Sequence, residues 1–281
     1  MQFQYIIDQI HLKRNTLYEI KGPKTLYEMS WKETEDALKK TNIAIIPVGS
    51  TEQHGLHLPL GSDSIQVDDL ARRVIAKCAE EGVTVVSTPT IPFGISHHHM
   101  KFPGSITLSS STLSLVLWEI VQSLYHHGFR KFVLLLGHGG NQITLRLCAQ
   151  DFAAELSDCT FLAPDWLPII YASYKETLKS ERWMDEHHSG EGETARMIAS
   201  TPKLVDLKKA KVYYADPKVD PYLKPAYGGN SGKEDGSIGM KEVTPIGSMG
   251  NPKLATSETG EKLYEIATDW LTKVIKTELI K

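Results

Sequence analysis

The chain is poor in cysteine. Only three occur among its 281 residues, Cys78, Cys148 and Cys159, and no two of them have CxxC spacing. This argues against both a thiolate metal site and a disulfide framework. Cys78 and Cys148 fall within helical patterns of apolar residues, which predicts buried free thiols. Free thiols persist in a reducing compartment, so we expect a cytoplasmic protein.

Long apolar runs and clustered positive charge are also missing. No stretch approaches the roughly 20 apolar residues of a membrane span, and residues 1–15 lack the apolar core of a secretory signal. We therefore expect no membrane partner. The net charge is −3 and the basic residues form no stripe, which argues against nucleic acid as a partner. With 41% hydrophobic and 23% charged residues, the composition is that of an ordinary globular protein.

Histidine and carboxylate side chains are instead concentrated in one stretch. Residues 47–63 read PVGSTEQHGLHLPLGSD and include Glu52, His54, His57 and Asp63. They follow a short apolar run that predicts a buried strand, and ligands of α/β proteins bind beyond the carboxyl ends of strands. In extended backbone Glu52 and His54 point to the same side. Carboxylates and imidazoles without thiolates suit Zn, Mn or Fe, so this loop predicts a metal site.

The pattern along the chain alternates apolar runs with amphipathic segments, which predicts an α/β fold with three layers (α/β/α) and a mainly parallel sheet. We treat residues 1–281 as a single domain, with 1–40 as an N-terminal extension to which we assign no chemistry. Residues 203–255 show no clear period, which predicts long loops and a short hairpin. The predicted strands are 43–48, 83–87, 131–136 and 160–163, and the predicted helices are 31–38, 64–80, 111–127, 142–156 and 258–279.

Two further polar clusters lie next to predicted elements. His138 stands between glycines in GHGGN (137–141), directly after a strand, where small neighbours leave room for an ion. The segment HHSGEGET (187–194) precedes a helix predicted to begin near Glu193. Acidic side chains at a helix start are often only dipole partners, and that interpretation suits Glu191 better than Glu193.

Three consecutive histidines, His97, His98 and His99, lie in the irregular loop after the second strand. One of them could reach a metal or a substrate, and an exposed polar loop is an equally open interpretation.

These segments together resemble the creatininase (creatinine amidohydrolase) family. The resemblance rests on PVGSTEQHGLHLPLGSD, FPGSIT (102–107), GHGGN, HSGEGET (188–194) and GSMGNPKLATSETGEK (247–262), in this order. It implies a creatininase-like fold and an amidohydrolase with two divalent ions per chain, Zn, Mn or Fe. In the family pattern the ligands are Glu52, His54, Asp63 as the bridge between the ions, and His138.

One position departs from creatininase itself, which has a glutamate two residues after the histidine of the glycine turn. This chain has Gly140 there. Many relatives share the GHGGN form, and Glu193 would then supply the missing carboxylate. His188 occupies the family's proton-transfer position, Glu191 would assist or orient it, and His57 would orient a ligand.

The function implied is hydrolysis of a non-peptide carbon–nitrogen bond, an amide or cyclic amide, in a small-molecule substrate. Alternatives within the family are a formamide deformylase of flavin or deazaflavin biosynthesis and a peptidase of a cofactor precursor. An alternative of another class is a silent metal-binding assembly protein. The resemblance also implies a homo-oligomer, a hexamer, with the 97–99 loop and FPGSIT near a subunit contact.

Overall fold

A parallel sheet of four strands forms the centre of the molecule, which we describe from a computed structural model covering residues 21–215 and 239–280. The strands lie in the order β2-β1-β3-β4. Strands β1 and β3 are the inner pair and are in register along their whole length, from Ile43 opposite Lys131 to Val48 opposite Leu136. The strand bounds are β1 Ile43–Val48, β2 Val86–Ser87, β3 Lys131–Leu136 and β4 Thr160–Leu162.

Helices cover both faces of this sheet. From β1 the chain crosses to β2 on one side, and from β2 it returns past β1 to β3 and on to β4. Right-handed crossovers then place α2 on one face and both α3 and α4 on the other. Helix α2 packs against α6 and α8, and α3 packs against α4. The helix bounds are α1 Trp31–Leu38, α2 Ser62–Glu80, α3 Ser110–His126, α4 Gln142–Glu155, α5 Leu167–Thr177, α6 Glu191–Ser200, α7 Met240–Val243 and α8 Ser257–Leu279.

The three-layer α/β fold and the mainly parallel sheet are confirmed. Strands β1 and β3 have the predicted bounds because each is a continuous apolar run, as expected of strands buried on both faces. Strand β2 was predicted over 83–87 but pairs only at Val86–Ser87, since it is an edge strand with a partner on one side. Helix α5 was not predicted, although a proline in its first turn is a start signal.

Two helix starts differ from the prediction in a way that matters for the site. Helix α2 begins at Ser62 rather than at residue 64, so Asp63 lies in its first turn. Helix α6 begins at Glu191 rather than near Glu193, so both glutamates lie in its first turn. Each carboxylate is therefore near a helix N-terminus, where the helix dipole favours negative charge.

The predicted loops of residues 203–255 can be followed only in part, because residues 216–238 lie outside the described ranges, as do residues 1–20 of the N-terminal extension. The flanks contain single 3₁₀ turns at Pro202–Leu204 and Pro252–Leu254, the short helix α7, and one isolated antiparallel bridge between Tyr213 and Gly250. No helix in the described ranges is long and apolar enough to cross a membrane.

The topology brings two of the polar clusters together. Strands β1 and β3 are neighbours, yet the chain leaves them in opposite directions across the sheet. A crevice opens at such a switch point, beyond the carboxyl ends of the strands. The loop that carries Glu52 and His54 follows β1, and His138 follows β3, so both enter this crevice.

Candidate metal centre

Asp63 lies at the middle of the candidate centre, between two imidazole rings. Its Oδ1 is 3.1 Å from Nε2 of His54, and its Oδ2 is 3.1 Å from Nδ1 of His138. All three side chains are buried. Oδ2 is buried without a hydrogen-bond partner among the described residues. A carboxylate that offers one oxygen to each of two histidines has the arrangement of a bridging ligand, and the orphaned oxygen fits a cation.

The histidines are oriented by backbone carbonyl oxygens. Nδ1 of His54 donates to the carbonyl of Glu52 at 3.0 Å, and Nε2 of His138 donates to the carbonyl of Ile95 at 3.0 Å. Nε2 of His188 likewise donates to the carbonyl of Gln53 at 2.7 Å. A carbonyl only accepts, so in each ring this nitrogen carries a proton, and the other nitrogen is the one that can bind a cation. This is the arrangement that metal-binding histidines have in proteins.

Two more carboxylates reach the cluster from opposite sides. Glu52 accepts from the Ser96 hydroxyl at 2.6 Å and lies 3.2 Å from Nε2 of His138. Glu193 Oε2 accepts from the backbone N–H of Ser189 at 2.5 Å and lies 3.9 Å from Nε2 of His54. In three groups of residues, one donor atom of each residue lies within 4.8 Å of the donor atoms of the other two. The groups are His54, Asp63 and Glu193; Glu52, His54 and His188; and Glu52, His98 and His138.

The loop before α6 fixes the positions of His188 and Glu193. Ser189 has φ 53, the left-handed region that a side chain seldom adopts, and is fully buried. This turn points the backbone N–H of Ser189 at Glu193 and puts Nδ1 of His188 3.9 Å from the same carboxylate. His57 donates to the Thr194 hydroxyl at 2.9 Å, so it supports the residue next to Glu193.

The structure does not bring Glu191 into this cluster. Its two carboxylate oxygens accept from the backbone N–H groups of Lys179, at 2.7 Å, and Ser180, at 2.8 Å. Residues two apart on a helix point in different directions, so Glu193 and Glu191 reach different partners. Glu191 therefore anchors the segment after α5.

Gly140 is required by the local packing. A Cβ at this position would lie 2.3 Å from the Ile95 carbonyl oxygen and 2.5 Å from Nε2 of His138. These two atoms form the hydrogen bond that orients His138. Any side chain at residue 140 would disturb it, so the glycine turn contributes His138 alone.

The charges of the cluster shift its pKa values strongly. Burial opposes charge on His54, but the Asp63 carboxylate outweighs it and raises the pKa of His54 to about 10. Burial likewise opposes charge on His138, but Glu52 and Asp63 raise its pKa to about 9. Burial and the charge of His54 lower the pKa of His188 to about 4. The carboxylates thus attract positive charge, which imidazole protons supply in the metal-free protein and a divalent cation would replace.

Gln53 and His99, to which the sequence assigns no definite role, lie beside the cluster. The Gln53 side chain accepts from the Gly55 backbone N–H at 3.0 Å, and its amide nitrogen lies 3.0 Å from Nδ1 of His99. Nε2 of His99 lies 3.2 Å from Glu52. Gln53 stands between the two predicted ligands of the first motif, but alternation in an extended strand directs it away from them. Only the fold of the loop turns its side chain back.

The family model described as Creatininase: Creatinine amidohydrolase matches residues 27–275. The chain belongs to the creatininase family. It is therefore an enzyme, a hydrolase of this family, which argues against a silent assembly protein.

Curated relatives of the chain have several activities. A mycofactocin precursor peptide peptidase of Mycobacterium tuberculosis is 28% identical over 84% of this chain and 86% of its own length. The creatinine amidohydrolase of Pseudomonas putida is 25% identical over 89% and 95%. A 3-dehydro-scyllo-inosose hydrolase of Thermotoga maritima is 27% identical over 88% and 81%. Membership in the family thus leaves the substrate open.

Solved structures share the fold. A Bacteroides fragilis protein, provisionally assigned as a creatinine amidohydrolase, has a TM-score of 0.77 and 28% identity over 93% of this chain and all of its own. A zinc form of a creatininase variant has a TM-score of 0.63 and 26% identity over 92% of this chain and 100% of its own. A manganese form of creatininase, 24% identical over the same shares, has a TM-score of 0.66.

Proposed function

We propose that this protein is a metal-dependent amidohydrolase that cleaves an amide or cyclic amide carbon–nitrogen bond in a small molecule. The observation that carries the proposal is the position of Asp63 between His54 and His138, each 3.1 Å away. Both histidines hold their other nitrogen on a backbone carbonyl, so both are oriented toward the same carboxylate.

The donor set supports two divalent ions per chain. Glu52, Asp63 and His138 would hold one ion, since each carboxylate lies close to a ring nitrogen of His138. His54, Asp63 and Glu193 would hold the other, since one donor atom of each lies within 4.8 Å of the other two. Carboxylate and imidazole donors suit Zn, Mn or Fe. Such ions supply Lewis acidity, which makes a nucleophile of water near neutral pH and polarises an amide carbonyl.

His188 would move the proton that amide cleavage requires. Nε2 of His188 is fixed by the Gln53 carbonyl, while Nδ1 faces the cluster beside Glu193. Nδ1 can accept a proton from the attacking water and deliver it to the leaving nitrogen, which departs as a neutral amine. The ring does not need to turn, since the fixed nitrogen keeps its orientation throughout.

A peptidase of a cofactor precursor is the second candidate, because a relative with this activity is 28% identical across most of the chain. Both candidates use the same proton transfer. The first candidate would act on a small cyclic amide or formamide, and the second on the end of a peptide.

A ring-shaped homo-oligomer, a hexamer, is our proposal for the assembly. Three large apolar side chains, Phe93, Met100 and Ile106, are exposed on the segment that includes the 97–99 loop and FPGSIT, and Leu56 is exposed on the 47–63 motif. Bridges between Thr51 and Ile106 and between Gly94 and Thr107 bring these segments together. An apolar surface of this kind is typical of a subunit contact. Light scattering at micromolar concentration tests this, and a monomer would contradict it.

The experiment that tests the function is a substrate screen of the protein before and after metal removal. Protein stripped with chelator is reloaded with Zn, Mn or Fe and offered cyclic amides, formamides and short peptides, with release of amine, formate and carboxylate measured. We expect one class to be hydrolysed only by reloaded protein. Full activity after demetallation, checked by elemental analysis, would contradict metal dependence.

A further inference from the structure

We propose that His98, the middle residue of the triple-histidine turn, is an additional protein ligand of the ion held by Glu52 and His138. The proposal rests on the proposed function. One donor atom each from Glu52, His98 and His138 lies within 4.8 Å of the other two. The His98 ring is buried and lies nearly parallel to that of His138, with 5.7 Å between ring centroids and 11° between planes.

The turn that carries His98 is fixed on both sides by the same carboxylate. The Ser96 hydroxyl donates to Glu52 Oε2 at 2.6 Å, and Nε2 of His99 lies 3.2 Å from Glu52 Oε1. Between them, residues 97–99 form a single 3₁₀ turn. Two attachments to Glu52 leave the turn little freedom, so His98 is held near the Glu52 carboxylate before any ion binds.

The hydrogen bonds of His99 exclude it from the same role. The Gln53 side-chain oxygen accepts from the Gly55 N–H, so the amide nitrogen must be the atom that faces His99. That nitrogen donates to Nδ1 of His99, which leaves the ring proton on Nε2, directed at Glu52. Both nitrogens of His99 are thus used, and among the three histidines the geometry selects His98.

A ligand from His98 makes the two ions unequal. The ion near Glu52 gains a fourth protein donor beside Glu52, Asp63 and His138. The other ion keeps three, His54, Asp63 and Glu193. Sites with four protein ligands are typically structural, whereas sites with three keep an open position for substrate. The ion near His54 is therefore the exchangeable one and the one nearer to His188, whose ring centroid is 4.4 Å from that of His54.

The test is a titration of metal-free protein with Co²⁺, comparing His98→Ala with His97→Ala as the matched control from the same turn. We expect wild type and His97→Ala to bind two Co²⁺ ions, one more tightly. In His98→Ala the tighter ion should bind at least ~10-fold more weakly, and the visible spectrum of the first equivalent should change. His98→Gln, which fills the space without an imidazole nitrogen, should behave like His98→Ala.

An affinity and spectrum of both His98 variants equal to those of His97→Ala would overturn the assignment of His98 while leaving the two-ion centre intact. Wild-type protein that binds fewer than two Co²⁺ ions would instead overturn the two-ion centre, and this proposal with it. Because the readouts are binding and absorption, neither outcome depends on knowing the substrate.

Discussion

Helix α2 carries two groups of charged residues that are paired in opposite ways. At its first turn, Asp63 faces two histidines, and one of its oxygens has no hydrogen-bond partner among the described residues. Farther along, Arg72 donates to Asp68 and to Glu28, each at 2.8 Å. Arg73 donates to Asp69 at 2.9 Å in the same i, i+4 spacing.

The arginine group of α2 is suited to stabilise the fold, whereas the Asp63 group is suited to bind a cation. The arginine groups match every carboxylate with a permanent cation, so nothing further is needed there. A cavity of about 380 Å³ lies beside this matched group and is lined by Glu28, Asp68 and Arg72, but these three charges are already paired with one another. Around Asp63 the carboxylates meet only imidazoles, whose charge is a removable proton that a divalent cation would replace. The unmatched group is thus the better guide to function than the cavity.

The largest effect is expected for Asp63→Asn, and Asp68→Asn on the same helix is its control. We expect Asp63→Asn to lose both ions, because both candidate sites share this carboxylate, and to lose turnover by more than ~1,000-fold. Elemental analysis and turnover on the substrate that the screen identifies measure this. Asp68→Asn should keep two ions. If Asp63→Asn also kept two, the bridging role would be wrong.

The next largest effect separates the two glutamates of α6. Glu193→Gln should reduce the metal content from two ions toward one, with activity lost, because Glu193 completes the site of His54 and Asp63. Glu191→Gln should keep two ions but destabilise the fold by about 1–3 kcal/mol, since an amide cannot accept from two backbone N–H groups with the same geometry. Metal counting and urea unfolding measure these effects. The reverse pattern would exchange the two roles.

His188→Ala should keep both ions and lose most turnover. A general acid–base group typically raises the reaction rate ~100- to 10,000-fold. His188 can serve as this group because its Nδ1 faces Glu193 from the loop before α6. Single-turnover kinetics together with metal analysis measure both properties on one preparation. Loss of an ion would make His188 a ligand and remove the proposed proton transfer.

Sequence reasoning succeeded where a single chemical rule decides the local structure. Strands β1 and β3 are buried on both faces, so their apolar runs mark their ends, and the motifs that follow them reach the same crevice. It failed at α5, which was left without a helix although Pro168 in the first helical turn is a start signal. The contact between Gln53 and His99 could not be predicted, since it depends on how two loops 46 residues apart in the chain fold onto each other.

In the arginine group of α2, Arg72→Ala should destabilise the fold and leave metal binding and turnover unchanged. Removing the guanidinium leaves Glu28 and Asp68 without their cation, which costs about 1–3 kcal/mol because the arginine is buried but both carboxylates are partly exposed. Both ions and turnover should be retained within about 2-fold. Lys39→Ala removes an exposed pair with Asp36 and should leave stability nearly unchanged. Loss of metal in Arg72→Ala would mean that the two groups on α2 are coupled.

The smallest effect is the pH dependence of the Glu28 contact. Burial raises the pKa of Glu28, but hydrogen bonds from Arg72 and Thr25 and the charge of Arg72 outweigh it and lower the pKa from 4.5 to about 2. A carboxyl whose pKa is lower in the folded state stabilises the fold fully above its unfolded pKa, and this contribution is lost as pH falls through the folded pKa.

Glu28→Gln removes that contribution, which solvent screening limits to about 1 kcal/mol. The difference in unfolding free energy between wild type and Glu28→Gln should therefore be constant above pH 5 and shrink between about pH 4.5 and pH 2, because protonation removes the charge from Glu28 in the wild type. Urea unfolding at several pH values measures this difference. Both proteins are first treated with chelator, so that ions bound at the Asp63 group do not contribute. A difference that grew on acidification would mean that Glu28 is held in its protonated form.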